Sequence, residues 1–204
     1  MRLLAYLLYS IDRIYYEVTL FMTIRDSFIT IEDFEAFVNQ PENADLLFEF
    51  INGQIHQVES RPYASSLATK ICVHIGQYVI SNNLGHITGK GGGYMVSGER
   101  YAPDVAFISY EKQPDLARSG YNPNPPDLAI EIISSDSSAE RDSLRIKLSN
   151  YLAAGTVVWI VKPDEQVIEV HQATQAVKIY LSTDTVSGAP VLPEFELKIS
   201  DIFS

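Results

Sequence analysis

The clearest apolar periodicity in the chain lies between Ser65 and about Asn82. Apolar residues recur there at every fourth position: Leu67, Ile71, Ile75 and Val79. This spacing predicts an amphipathic helix, because residues four apart share one helical face. Asn83 and Gly85, which follow the last apolar position, are typical of the end of a helix.

Alternating and continuous apolar runs predict strands elsewhere. Two short runs flank Asn52-Gly53, a dipeptide suited to a type I′ turn, and they predict an early β-hairpin. YMVS and, after Pro103, DVAFIS are predicted to form a strand pair, and a later run has the composition of a strand that is buried on both faces: DLAIEIIS. Ser137 and Glu140 then form a capping-box pattern that predicts a second long helix, ending at Gly155.

The C-terminal part of the chain is predicted to be a β-meander with the strands TVVWIV, QVIEVH and AVKIYL. The order of elements predicts an α/β domain built around a mixed β-sheet flanked by helices.

Composition and charge narrow the class of protein. The chain has 204 residues, 46% hydrophobic, with a net charge of −11 and one cysteine, Cys72. These values are typical of a globular domain and exclude an intramolecular disulfide, which favours a cytoplasmic location. The net negative charge opposes non-specific binding to nucleic acid. A nuclease with an acidic metal site inside a locally basic groove is still compatible with this charge.

The first 21 residues form an apolar, aromatic stretch interrupted by Asp12, Arg13 and Glu17. Its uninterrupted part is too short to span a bilayer, so no membrane role is expected. Met22 offers a second plausible start. Residues 1–21 are therefore interpreted as an N-terminal apolar arm or an overextended start, and residues 22–204 as one domain.

The anomaly in the pattern is Glu131, which lies inside the apolar run from Leu128 to Ile133. An unpaired carboxylate there would reduce the stability of the fold by several kcal/mol, so the charge of Glu131 must be compensated. An internal salt bridge or a protonated acid would do so, and so would a bound metal ion.

Asp104 and Lys147 add to this anomaly. Asp104 follows Pro103 at the head of the strand DVAFIS, where it could be a turn residue or a second carboxylate beside Glu131. Lys147 lies among Leu144, Leu148 and Tyr151 on the core-facing edge of its helix. It either extends its ammonium group into water or points it at the two acids.

Several stretches together resemble one known family. They are FEFINGQI, APDVAFIS, PPDLAIEIISSDS, RDSLRIKLSNYLAAGT with VVWIVKP, and VLPEFEL, and they cover nearly everything from Met22 onwards. Pro103-Asp104, followed by Glu131 after 26 intervening residues, resembles the PD-(D/E)XK nuclease superfamily, and in particular its Uma-type restriction endonuclease family. The resemblance implies a restriction-endonuclease-like core over residues 22–204.

The resemblance also implies a set of site residues. Asp104 and Glu131 would bind Mg²⁺ or Mn²⁺, Lys147 would be the catalytic lysine, and Glu49 in the early hairpin would be a further metal ligand. The chain departs from the superfamily at Ile133, where the usual lysine would stand; Lys147 on the following helix fits a variant in which that lysine has moved.

Two functions of different classes follow. The first is a divalent-metal-dependent endonuclease that hydrolyses phosphodiester bonds in DNA, and nicking of both strands favours a homodimer. The second is a catalytically silent protein of the same fold that acts as an interaction or regulatory module. The acid, acid and lysine set favours the first, and the acidic net charge favours the second.

Overall fold

A computed structural model of the chain describes residues 28–58, 61–133 and 137–204. The predicted arm at residues 1–21 and the alternative start at Met22 lie outside this range. No helix in the described ranges has the length and apolar character needed to cross a membrane. The chain divides into two compact units, Met1–Gln57 and Val58–Ser204.

The first unit contains a short helix and the predicted hairpin. Helix α1 (Ile31–Val38) begins at Thr30, whose side chain forms a reciprocal capping box with Asp33. A 3₁₀ turn (Pro41–Asn43) leads to strands β1 (Phe48–Ile51) and β2 (Gln54–Gln57), which pair antiparallel. The turn residues Asn52 and Gly53 have φ angles of +50° and +74°, as a type I′ turn requires.

The second unit contains the long helices and most of the strands. The helices are α2 (Pro62–Ser81), α3 (Ser138–Ala153) and α4 (Ser200–Phe203). The strands are β3 (Gly85–Gly89), β4 (Gly93–Val96), β5 (Glu99–Tyr101), β6 (Val105–Ser109), β7 (Tyr121–Asn122), β8 (Leu128–Ile132), β9 (Val157–Lys162), β10 (Val167–His171), β11 (Lys178–Tyr180), β12 (Thr185–Ser187) and β13 (Glu196–Lys198).

A six-stranded mixed sheet forms the centre of this unit, in the order β11-β10-β9-β8-β6-β3. Strands β8 and β9 are parallel and are joined by α3, whereas β9, β10 and β11 form the predicted antiparallel meander. Alternation along the strands sends Leu128, Ile130 and Ile132 of β8 into an apolar core with α2. Glu131 therefore points to the opposite face, the face that carries α3. The predicted fold class, a mixed sheet flanked by helices with an early hairpin and a C-terminal meander, is confirmed.

One predicted pairing is wrong. The strands YMVS and DVAFIS were expected to form a pair, but YMVS pairs with β5 across a turn at Ser97-Gly98. DVAFIS becomes β6 and pairs with β3 and β8 instead. Because β5 is only three residues long, its alternation is too short to predict a strand from sequence.

Candidate active site

The two predicted acidic ligands lie side by side at one end of β6 and β8. The antiparallel register pairs Val105 with Ile130, so its continuation by one residue brings Asp104 opposite Glu131. Register partners project from the same face of a sheet, with Cβ atoms about 5 Å apart. The sheet therefore presents both carboxylates to the α3 side.

Glu131 is compensated by two groups from α3. Its Oε1 lies 2.8 Å from Lys147 Nζ and accepts a hydrogen bond of 3.0 Å from the Tyr151 hydroxyl. Glu131 is 8% exposed and Lys147 5%. The lysine therefore does not extend into water, and the internal salt bridge that could explain Glu131 is present, with the predicted catalytic lysine as its partner.

A second layer of side chains holds Lys147 in place. Its Nζ lies 5.6 Å from the centroid of the Tyr101 ring, within the range of a cation–π interaction. The Tyr101 hydroxyl accepts a hydrogen bond of 2.6 Å from Asn150 Nδ2, and the Tyr101 and Tyr151 rings pack edge to face at 5.2 Å. The ammonium group is thus fixed by contacts on several sides.

Asp104 is tied to the strand that carries Glu131. Its Oδ2 accepts a hydrogen bond of 2.8 Å from the backbone N–H of Ile132. Its Oδ1 lies 3.7 Å from Lys90 Nζ. The backbone hydrogen bond orients the Asp104 carboxylate with respect to β8, so the two acids keep a fixed geometry.

The donor set of this pair suits a hard divalent cation. Within the described ranges, no group of three or more His, Cys, Asp or Glu side chains could hold a metal ion. Mg²⁺, however, is commonly bound through one or two carboxylates and completes its octahedron with water and substrate phosphate oxygens. Asp104 and Glu131 supply the oxygen ligands that such an open site needs, whereas zinc sites are more often built from thiolates and imidazoles.

Two further acids have other surroundings. Glu49 lies in β1 of the first unit, half-buried and in register with His56, and its role as a further metal ligand stays a prediction. Asp127 accepts a hydrogen bond of 2.7 Å from the Ser109 backbone N–H and pairs with Lys112 at 3.2 Å. Asp127 thus holds the other end of β6 against the start of β8.

Two side chains of the site were not anticipated from sequence. Tyr151 fits the apolar stripe of α3 and gives no sign of its hydroxyl contact. Lys90 lies in a glycine-rich segment, Gly89 to Gly93, whose sequence is compatible with a plain turn or with a phosphate cradle that lacks the P-loop lysine. The pairing of β3 with β6 would have revealed Lys90, since continuing that register places it opposite Asp104, but such long-range pairing is not encoded in a local pattern.

The fold and the site together are those of a mixed α/β protein that carries two adjacent carboxylates, Asp104 and Glu131, and a buried lysine, Lys147, on one sheet face. A family model described as "Putative restriction endonuclease", Uma2, matches residues 31–200, and the chain belongs to this family. This confirms the resemblance seen in the sequence.

A solved structure shares the fold. It is a crystal structure of a "putative nuclease belonging to DUF820" from Anabaena variabilis ATCC 29413, 22% identical to this chain, with a TM-score of 0.70. The match covers 82% of this chain and 94% of the other. No curated protein sequence matches the chain.

Proposed function

We propose that the protein is a divalent-metal-dependent endonuclease that hydrolyses phosphodiester bonds in DNA. The observation that supports this most directly is the approach of Lys147 Nζ to 2.8 Å from Glu131, with Asp104 in the neighbouring register position. Two carboxylates and one ammonium group on a single sheet face are the groups that metal-assisted hydrolysis of a phosphodiester needs.

Each side chain has a separate task in this proposal. Asp104 and Glu131 would hold Mg²⁺ or Mn²⁺, with the remaining ligand positions left to water and substrate phosphate oxygens. Lys147 orients the attacking water and stabilises the negative charge that develops on the phosphate oxygens. Tyr151 is a positioning residue that keeps Glu131 aligned. The cation, when bound, supplies Lewis-acid polarisation of the phosphate.

Burial supports the electrostatic part of this proposal. Lys147 and Glu131 are buried, and a fixed charge that is shielded from bulk water acts on a reacting group more strongly than a charge in water does. The Tyr101 ring and the Tyr151 hydroxyl hold these charges in place before substrate binds, so little reorganisation is needed during the reaction.

The test is nicking of supercoiled plasmid DNA in Mg²⁺ or Mn²⁺. Glu131→Gln keeps the shape of the side chain and its ability to accept from Tyr151, but removes the charge that would bind the cation. We expect cleavage to fall by a hundredfold or more, on the order of what an essential electrostatic group contributes. Glu169→Gln is the matched control, because Glu169 is a partly buried carboxylate on the same sheet face, paired with Lys162.

The outcomes separate the two candidate functions. Cleavage that requires the cation and is lost only in Glu131→Gln, with that variant folded, supports the endonuclease. Equal cleavage by both variants removes Glu131 from the mechanism. Folded wild-type protein that cleaves no nucleic acid favours the silent interaction module, which the net charge of −11 also favours.

The cytoplasmic location and the homodimer belong to the same proposal. Two sites related by a twofold axis would allow both strands of a duplex to be cut in one encounter. A dimeric mass in light scattering supports this arrangement, and a monomeric mass contradicts it.

A further inference from the structure

A second lysine lies beside the candidate metal site, next to Asp104 on the side of β3. The β3–β6 register pairs Gly89 with Val105, so its continuation places Lys90 opposite Asp104. Lys90 Nζ lies 3.7 Å from Asp104 Oδ1. The Lys90 side chain is 39% exposed, compared with 7% for Lys147. The two acids thus each face a lysine, one buried and one open to solvent.

The backbone around Lys90 is open on one side. A Cβ atom built on Gly89 or on Gly91 would meet no atom within 4 Å. A Cβ on Gly92, in contrast, would lie 2.5 Å from Thr88 Cβ, and the N–H of Gly92 donates to the Gly89 carbonyl at 2.8 Å. The turn is therefore anchored at Gly92, while the segment that carries Lys90 has free space beside it.

We propose that Lys90 is an exchangeable phosphate-binding residue of the site. In the absence of a cation its ammonium group neutralises Asp104; when a divalent cation binds Asp104, the ammonium moves to a backbone phosphate of the bound nucleic acid. This inference rests on the proposed function, because it takes Asp104 as a metal ligand and a phosphodiester as substrate.

Electrostatics gives the reason for the exchange. A divalent cation on Asp104 repels an ammonium group that lies within about 4 Å of the same carboxylate. Lys90 can move away, because a lysine stem has four rotatable bonds and this one is partly in solvent, whereas Lys147 is packed against Tyr101. A chain with a net charge of −11 also needs local cations wherever it receives a phosphate backbone.

The proposal predicts opposite effects of one substitution on two affinities. Lys90→Met keeps the length of the side chain and removes its charge. Mn²⁺ should bind more tightly, by about threefold to tenfold, since a competing cation is lost. Duplex DNA should bind about tenfold more weakly in Ca²⁺, and the slope of log affinity against log salt should fall by about 0.9.

Lys112→Met is the matched control. Lys112 forms a similar, partly exposed ion pair with Asp127, but at the opposite end of β6. Mn²⁺ titration calorimetry in the absence of nucleic acid, and fluorescence anisotropy of a labelled random duplex, measure both affinities without any cleavage. Lys90→Arg should keep the DNA affinity and its salt dependence.

The results distinguish this inference from the proposed function. If wild-type protein binds both probes and Lys90→Met behaves like Lys112→Met, or binds Mn²⁺ more weakly, the exchange is overturned while the endonuclease proposal stands. If wild-type protein binds neither Mn²⁺ nor DNA, both are overturned. Opposite shifts in the two affinities, confined to Lys90→Met, support the exchange.

Discussion

Removal of Lys147 should destabilise the protein far more than removal of an ordinary lysine. Lys147→Met keeps most of the side-chain volume but deletes the ammonium group that lies 2.8 Å from Glu131. Glu131 then stays in the sheet and keeps the hydrogen bond from the Tyr151 hydroxyl. A buried carboxylate that has lost its counter-charge is the cause of the expected loss.

The magnitude follows from burial. The side chains of Lys147 and Glu131 are 7% and 11% exposed, so water screens the pair little. Breaking a buried ion pair by removing one partner costs about 3 to 5 kcal/mol. Replacing both partners with neutral residues costs much less, because no charge is left in the interior. Lys147→Met combined with Glu131→Gln should therefore recover at least about 2 kcal/mol relative to the sum of the single variants.

Urea unfolding followed by tryptophan fluorescence measures these free energies. Trp159 is the only tryptophan of the chain, is fully buried in β9 and lies in register with Ile130 of β8. Lys112→Met serves as the reference. The side chains of Lys112 and Asp127 are 29% and 21% exposed, so their ion pair should contribute no more than about 1 kcal/mol to the free energy of unfolding.

A loss of under about 1 kcal/mol for Lys147→Met would show that Glu131 is not desolvated as described. A double variant as unstable as the sum of the two single variants would show that the two charges are not coupled. Either result would refute the reasoning from burial.

Three further predictions concern neighbouring groups. Tyr151→Phe deletes the hydroxyl that donates a hydrogen bond to Glu131. The nicking rate should fall about tenfold, and the free energy of unfolding in urea should fall by about 1 to 2 kcal/mol. Burial raises the pKa of Glu169, but hydrogen bonds, led by that from Lys162, outweigh this effect and hold the pKa below 4.5. Glu169→Gln should therefore lower the free energy of unfolding by about 1 kcal/mol at neutral pH. This difference from wild type should disappear as the pH falls from 4.5 through the lowered pKa, because Glu169 then becomes protonated in the folded protein. Asp104→Asn should weaken Mn²⁺ binding more than tenfold in calorimetry with the circular dichroism spectrum unchanged, since the amide oxygen can still accept from the backbone N–H that Asp104 now binds.

Local patterns were sufficient to predict the elements whose cause is local. The four-residue apolar spacing found α2, which begins three residues earlier than expected because Pro62 occupies its first turn. The cap at Ser137 is present as a hydrogen bond of 3.2 Å from the Glu140 N–H, and Gly155 has the positive φ of a helix stop, +80°. Such features depend on residues within one turn of each other.

The site was predictable in part for a related reason. Glu131 stood out because a charge in an apolar strand violates the pattern around it, and Lys147 because its neighbours on α3 are apolar. Tyr151 could not be predicted as a site residue, because a tyrosine in the apolar stripe of a helix is commonly a buried core residue. Lys90 could not be found, because only the pairing of β3 with β6 brings it to Asp104.

The strand register that aligns Asp104 with Glu131 also decides which face of the sheet carries the Glu131 charge. Since successive side chains alternate between faces, a slip of β8 by a single residue would turn Glu131 away from α3 and into the apolar layer beneath the sheet. In that misfolded form Glu131 would no longer lie beside Asp104, and its charge would be buried among apolar side chains. The relative position of Asp104 and Glu131 is therefore set by the alignment of β6 with β8.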